Sequence, residues 1–149
     1  MGTVSASGRR RHRPVVAIDG PAGAGKSTIA RLLAARLRLP YLDTGAMYRA
    51  VALLARRAGI EPPYGASAGE RVADLFARHR LELVPAGDGT RVLLDGEDVS
   101  VSIRTPELSA LASAVSALSE VRRVLVALQR SLGEAGGGVM EGRDIGTVV

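Results

Sequence analysis

Asp19-Gly20-Pro21-Ala22-Gly23-Ala24-Gly25-Lys26-Ser27-Thr28 is the stretch on which the reading of the whole chain turns. A short apolar run, Val15-Val16-Ala17-Ile18, leads into it, and a helical pattern from Ile29 to Arg38 leads out. Gly20, Gly25, Lys26 and Ser27 fit the spacing G-x-x-x-x-G-K-[ST]. Glycines in such a bend let backbone N–H groups turn inward around a phosphate with no side chain in the way. The helix that follows aims its free N–H groups and positive dipole end at the same anion. Lys26 can then reach the β- and γ-phosphates, and the Ser27 hydroxyl can ligate Mg²⁺. Lys26 is also the sole lysine in a chain that otherwise uses arginine for its positive side chains. That choice favours the phosphate-loop reading over a Gly/Ala-rich strand-to-helix turn.

The 149 residues suffice for one domain with a real core, and 46% hydrophobic with 23% charged residues is ordinary for a globular protein. No apolar run approaches the ~20 residues of a membrane span. The absence of cysteine removes disulfides and thiolate metal sites from consideration and suits a reducing cytoplasm, the expected location. One Phe, three Tyr and no Trp argue against a base-stacking platform, so neither nucleic acid nor membrane is expected as a partner. The formal charge of +5 is local. Arg9, Arg10, Arg11 and Arg13 contribute four of it, which leaves +1 for the remainder. Residues 1–13 read as a disordered basic arm without the apolar segment of a secretory signal. A solvated extension is preferred there to a transit peptide or a polyanion-binding arm.

In chain order, Val15 to Asp19 reads as a fully buried strand. Ile29, Leu32, Leu33 and Leu37 then form the apolar stripe of a helix that ends before Pro40. Tyr41-Leu42-Asp43 is a second strand, and strand–helix–strand predicts a parallel pair with a right-handed crossover. Asp43 or Thr44 caps the next helix, which carries Met47, Val51 and Leu54 and stops at Gly59. Thr44 and Tyr48, with the adjacent Arg49, form a polar cluster at a strand's carboxyl end, where open α/β sheets bind ligands. A short helix spans Glu70 to Arg80, and His79 beside Arg78 and Arg80 reads as an exposed helix-end residue. Leu81–Val84 and Arg91–Leu94 flank a turn and read as a hairpin. Asp95-Gly96-Glu97-Asp98 reads as a further turn, not a cation loop. Thr105-Pro106-Glu107 is a strong helix start. A second helix restarts at Ser119-Glu120, with Arg122 and Arg123 read from the pattern alone as part of a solvated face. Val139-Met140 ends the pattern as a short strand before Glu141-Gly142-Arg143-Asp144, again at a ligand crevice.

Four stretches together resemble the cytidylate kinases, bacterial enzymes that phosphorylate CMP and dCMP with ATP. They are Ile18 to Thr28, Leu42 to Arg49, Leu94 to Ser100 with Ile103-Arg104, and Gly142 to Val149. The resemblance implies a P-loop NTPase-type α/β fold, a parallel sheet flanked by helices with a small antiparallel insert for the nucleoside monophosphate at about residues 60–104. It implies that Gly20, Pro21, Ala22, Gly23, Ala24, Gly25, Lys26, Ser27 and Thr28 hold ATP, with Ser27 at Mg²⁺. Thr44, Tyr48, Arg49, Ser113, Arg122, Arg143 and Asp144 would bind the acceptor, and Lys26, Arg122, Arg143 and Asp144 would carry catalysis. A monomer is expected, with nucleotides as its partners. Members of the family continue for about half as much chain again, in the sheet order 2-3-1-4-5. A fragment or early stop is therefore expected, with a core incomplete at the C-terminus and Val15–Asp19 left as an open edge. The alternatives are another P-loop small-molecule kinase, such as a shikimate-type kinase, or an inactive truncated remnant. A GTP-binding switch module is disfavoured, since the chain has no asparagine for N-K-x-D and no D-x-x-G.

Overall fold

The computed structural model describes residues 12–149 apart from Asp88, so most of the basic arm read at residues 1–13 lies outside the described residues. Three parallel strands form the main sheet: β1 (Val15–Asp19), β2 (Tyr41–Asp43) and β6 (Gly138–Gly142). The strand order is β1-β6-β2. β1 and β2 are parallel as expected, and β6 lies between them and pairs with both, as the order 2-3-1 implied by the resemblance requires. The central position goes to the strand that can be covered everywhere: Gly138, Val139, Met140 and Glu141 are all buried.

Burial of β1 departs from the fully buried strand its pattern implied and agrees with the open edge expected from the family resemblance. Its residues alternate between exposed and half-buried, and Val15 is 50% exposed. As an edge strand, β1 has no strand on its outer side among the described residues. Helix α1 (Lys26–Leu37) differs as well. Its inward face is Ala30 and Ala34, while Ile29, Leu32 and Leu37 of the expected apolar stripe point outward. Small residues let α1 sit close on Tyr41 and Val139, and that close approach selects the alanine face.

The opposite face of the sheet, with Leu42 and Met140, is covered by Ile145 and by Leu132 of α5 (Ser119–Gly136). Gly133 of α5 is in the close approach there, since a Cβ would press on Met140 and Val15. A larger apolar cluster joins α2 (Thr44–Arg57), α3 (Ala68–Phe76), α4 (Pro106–Ser116) and α5. Leu108 and Leu125 are fully buried within it. The hairpin of β3 (Leu81–Ala86) and β4 (Gly89–Leu94) packs on this cluster and carries the short β5 (Glu97–Asp98). Asp95 and Gly96 both have positive φ, 51° and 84°, the geometry of a primed hairpin turn. His79 lies beyond the end of α3, shorter than the helix expected there, and its Nδ1 meets Asp95 Oδ2 at 2.5 Å.

Candidate active site

The loop between β1 and α1 is open where an anion would sit. Gly23 and Gly25 have φ of 78° and 82°, and nothing lies within 4 Å of where a Cβ would stand at either. Gly25 is the N-cap of α1 and supplies no side chain to its first N–H groups, leaving donors and dipole free for an anion. Pro21 and Ala24 close the bend through Ala24 N–H to Pro21 C=O at 3.4 Å. Lys26 Nζ donates to Pro21 C=O at 2.9 Å, and its stem packs under Gly20.

Ser27 Oγ donates to Glu141 Oε1 at 2.7 Å. The Tyr41 hydroxyl donates to the other oxygen of the same carboxylate. The register explains the meeting: Tyr41 lies opposite Val139, so Glu141 projects from the same face two residues on, toward the start of α1. Burial is the main cause that pushes the Tyr41 hydroxyl above its ordinary pKa, with the nearby Asp43 and Glu141 carboxylates adding to it. Sequence reading included Glu141 in a charged cluster but gave it no role. A carboxylate at the carboxyl end of a strand beside a phosphate loop was the available signal.

Across the cavity, Asp43 caps α2 by accepting from Ala46 N–H at 2.9 Å. It also draws in two arginines, Arg49 at 3.3 Å and Arg104 at 3.7 Å. Arg49 Nε is buried without a hydrogen-bond partner among the described residues. Thr44, 3% exposed, uses its hydroxyl on Glu141 C=O at 2.8 Å. Gly142 admits that bond, because a Cβ there would collide with the Thr44 hydroxyl. Tyr48 lies on the same wall. Burial raises its pKa, with the positive charge of Arg122 opposing the rise. Arg122 approaches Asp144 at 3.8 Å.

One cavity of about 1020 Å³ gathers these groups, lined by Ala22, Gly23 and Gly25 to Thr28 on one side. Thr44, Tyr48, Arg49, Ser113, Arg122, Arg143 and Asp144 line the rest, together with the unforeseen Arg104, Gln129 and Glu141. Gly20, Pro21 and Ala24 belong to the loop but do not line the cavity. Of the insert read at about 60–104, Arg104 alone of the described residues reaches the wall. Five cationic side chains (Lys26, Arg49, Arg104, Arg122, Arg143) face three carboxylates (Asp43, Glu141, Asp144). The excess positive charge suits two polyanions brought together, and the arginine forks suit bidentate binding of phosphate.

Comparison with known proteins agrees in kind. A family model described as cytidylate kinase matches residues 16–149. The cytidylate kinase of Symbiobacterium thermophilum is 57% identical over 136 residues, covering 91% of this chain and 58% of that protein. That of Geobacter sulfurreducens is 54% identical over 146 residues, 98% of this chain and 60% of that protein. A bifunctional pantoate ligase/cytidylate kinase of Synechococcus elongatus is 53% identical over 142 residues, 92% of this chain and 26% of that protein. The chain thus spans about three-fifths of the length of the first two relatives.

Proposed function

The chain belongs to the cytidylate kinase family, and on that premise we propose that it takes part in transfer of the ATP γ-phosphoryl group to CMP and dCMP. One observation carries the reading: a phosphate loop and four arginines, Arg49, Arg104, Arg122 and Arg143, face each other across a single cavity. In this reading the backbone N–H groups of Gly23 to Thr28 and Lys26 hold the donor phosphates. The arginines hold the acceptor phosphate, with residues 60–104 as the acceptor-side insert. Ser113 and Asp144, on the same wall, take the cytosine ring.

Mg²⁺ fits the donor set, because Ser27 Oγ and the Glu141 carboxylate are adjacent hard oxygen ligands of the kind it accepts beside substrate phosphates. When bound, it offsets charge on the phosphate oxygens during transfer. Tyr41 keeps Glu141 turned toward Ser27 by holding its second oxygen. The chain needs no general base, since an acceptor phosphate oxygen is already a nucleophile. Its residues act by orienting two anions in line and by screening their repulsion.

Isothermal calorimetry with ATP–Mg²⁺ and with CMP, followed by a CDP-forming assay, tests the proposal. Binding of both nucleotides, with CDP formed from CMP but shikimate left unphosphorylated, is the expected outcome. Absence of affinity for either nucleotide in folded, monodisperse material would overturn it.

A further inference from the structure

The phosphate loop is preceded by a negative charge. Asp19, the last residue of β1, sets a carboxylate beside a loop suited to polyanions, which on its own disfavours binding them. Its partners lie across the sheet edge, in the segment that follows β6. Oδ1 accepts from the Ile145 N–H at 2.7 Å and Oδ2 from the Gly146 N–H at 2.9 Å. The residue immediately before these donors is Asp144, whose φ is 55°. That left-handed backbone is free of penalty only for glycine, and a non-glycine residue stays in it only where surrounding contacts over-determine it.

Those contacts can be traced. Asp144 C=O accepts from Val148 and Val149 N–H at 2.9 and 3.3 Å. Arg122 approaches the Asp144 side chain from the cavity side. Asp19 ties down the next two amides from behind. Two neighbouring N–H donors need two acceptor oxygens, which a carboxylate offers and a carboxamide does not, since its NH₂ would face one of the donors.

We propose that Asp19 is a positioning residue for the acceptor nucleotide. It holds Arg143 and Asp144 in their cavity-facing geometry and fastens their loop to the strand that starts the phosphate loop. The identity of the acceptor rests on the function proposed above; the tie itself does not.

The test compares the wild-type chain with Asp19→Asn and Asp19→Ala by amide hydrogen exchange and by calorimetry with CMP and with ATP–Mg²⁺. Exchange across residues 143–147 should quicken about tenfold or more, as expected when charge-assisted hydrogen bonds are lost. Exchange in β4 and α4 should stay unchanged. CMP affinity should fall about tenfold on the same scale, while ATP affinity holds or improves because a negative charge has been removed. In a double-mutant cycle, Asp19→Asn with Asp144→Asn should cost no more CMP affinity than the worse single variant. Unchanged exchange at 143–147 overturns the tie whether or not nucleotides bind. Faster exchange throughout, with both affinities falling together, overturns the positioning role in favour of a merely structural one. A wild-type chain that binds neither nucleotide overturns the proposed function, and exchange still decides the tie.

Discussion

Two helix N-termini face the same cavity, and only one of them is closed. α2 begins at Thr44 with the Asp43 carboxylate on the Ala46 N–H. α1 begins at Lys26 behind a glycine that caps nothing. The interiors differ in the same sense: α2 buries nine of its 14 residues, α1 only Ala30 and Ala34. A helix fixed by packing on most sides has its end sealed by its own chain. α1, held through Ala30, Ala34 and the half-buried Leu33, leaves its end open, and unsatisfied donors at an open end are what an anion seeks. The comparison separates a helix whose N-terminus its own chain closes from one whose N-terminus is left open.

Lys26→Ala should cut phosphoryl transfer by roughly a hundredfold or more, on the scale of losing one charge-stabilising donor. Its thermal midpoint should stay within about 2 °C, as for a surface substitution. A large fall in stability instead would erase the distinction between the two helices. Asp43→Ala should show the reverse pattern. It removes the cap of α2 and should cost about 1 kcal/mol in urea unfolding, and release of Arg49 and Arg104 from their shared partner should weaken CMP binding as well. If Asp43→Ala leaves stability unchanged, the cap contributes nothing and the two ends are alike.

Asp98, which lines neither the cavity nor a helix start, supplies a control. Hydrogen bonds from Ser100, with Arg91 adding to them, hold the Asp98 carboxyl down at about 2. A carboxyl depressed in the folded state adds stability that is fully present above its ordinary value near 3.8 and disappears as pH falls through about 2. An acid titration followed by circular dichroism should therefore lose that contribution between about pH 4 and pH 2, and Asp98→Asn should flatten the dependence. The smallest effect is expected at Leu32→Ser. Leu32 is 64% exposed on the outer side of α1, and its loss should change stability by less than about 0.5 kcal/mol. A larger destabilisation would mean that α1 is packed more like α2 than its burial indicates.

The phosphate loop, the Thr44, Tyr48 and Arg49 cluster and the charged segment after β6 were legible from local chemistry, whereas Ser113 and Arg122 were named only through the family resemblance. The spacing of Gly20, Gly25, Lys26 and Ser27 marked the phosphate loop, and the structure brings Thr44, Tyr48, Arg49, Ser113, Arg122, Arg143 and Asp144 to the cavity opposite it. Thr105 caps α4 through the Leu108 N–H, as the Thr-Pro-Glu signal implied. The apolar runs misled where partner identity mattered. The pattern of Val15 to Asp19 reads as a fully buried strand, since a continuous apolar run looks the same at an edge as in the middle; the open edge that is found was expected only from the family resemblance. In α1, four large apolar residues suggested the buried face, yet Ile29, Leu32 and Leu37 are exposed and only Leu33 joins Ala30 and Ala34 against the sheet. Arg122 gave a pattern indistinguishable from a solvated basic face, and its approach to Asp144 depends on where the packing of α5 sets its first turn relative to the segment after β6.

The amino-acid sequence alone determined the phosphate loop, the helix starts and the hairpin, because each depends on residues within a few positions of one another. Local pattern left strand order open: it came only through the family resemblance, as 2-3-1, and the tertiary structure realises it with β6 as the third strand. Only with β6 between β1 and β2 does Glu141 meet Ser27, 114 residues away, and Ile145 meet Asp19, 126 residues away. Such pairs share no local pattern. They form because backbone hydrogen bonding sets the register of parallel strands, and the register then decides which side chains emerge together at their carboxyl ends.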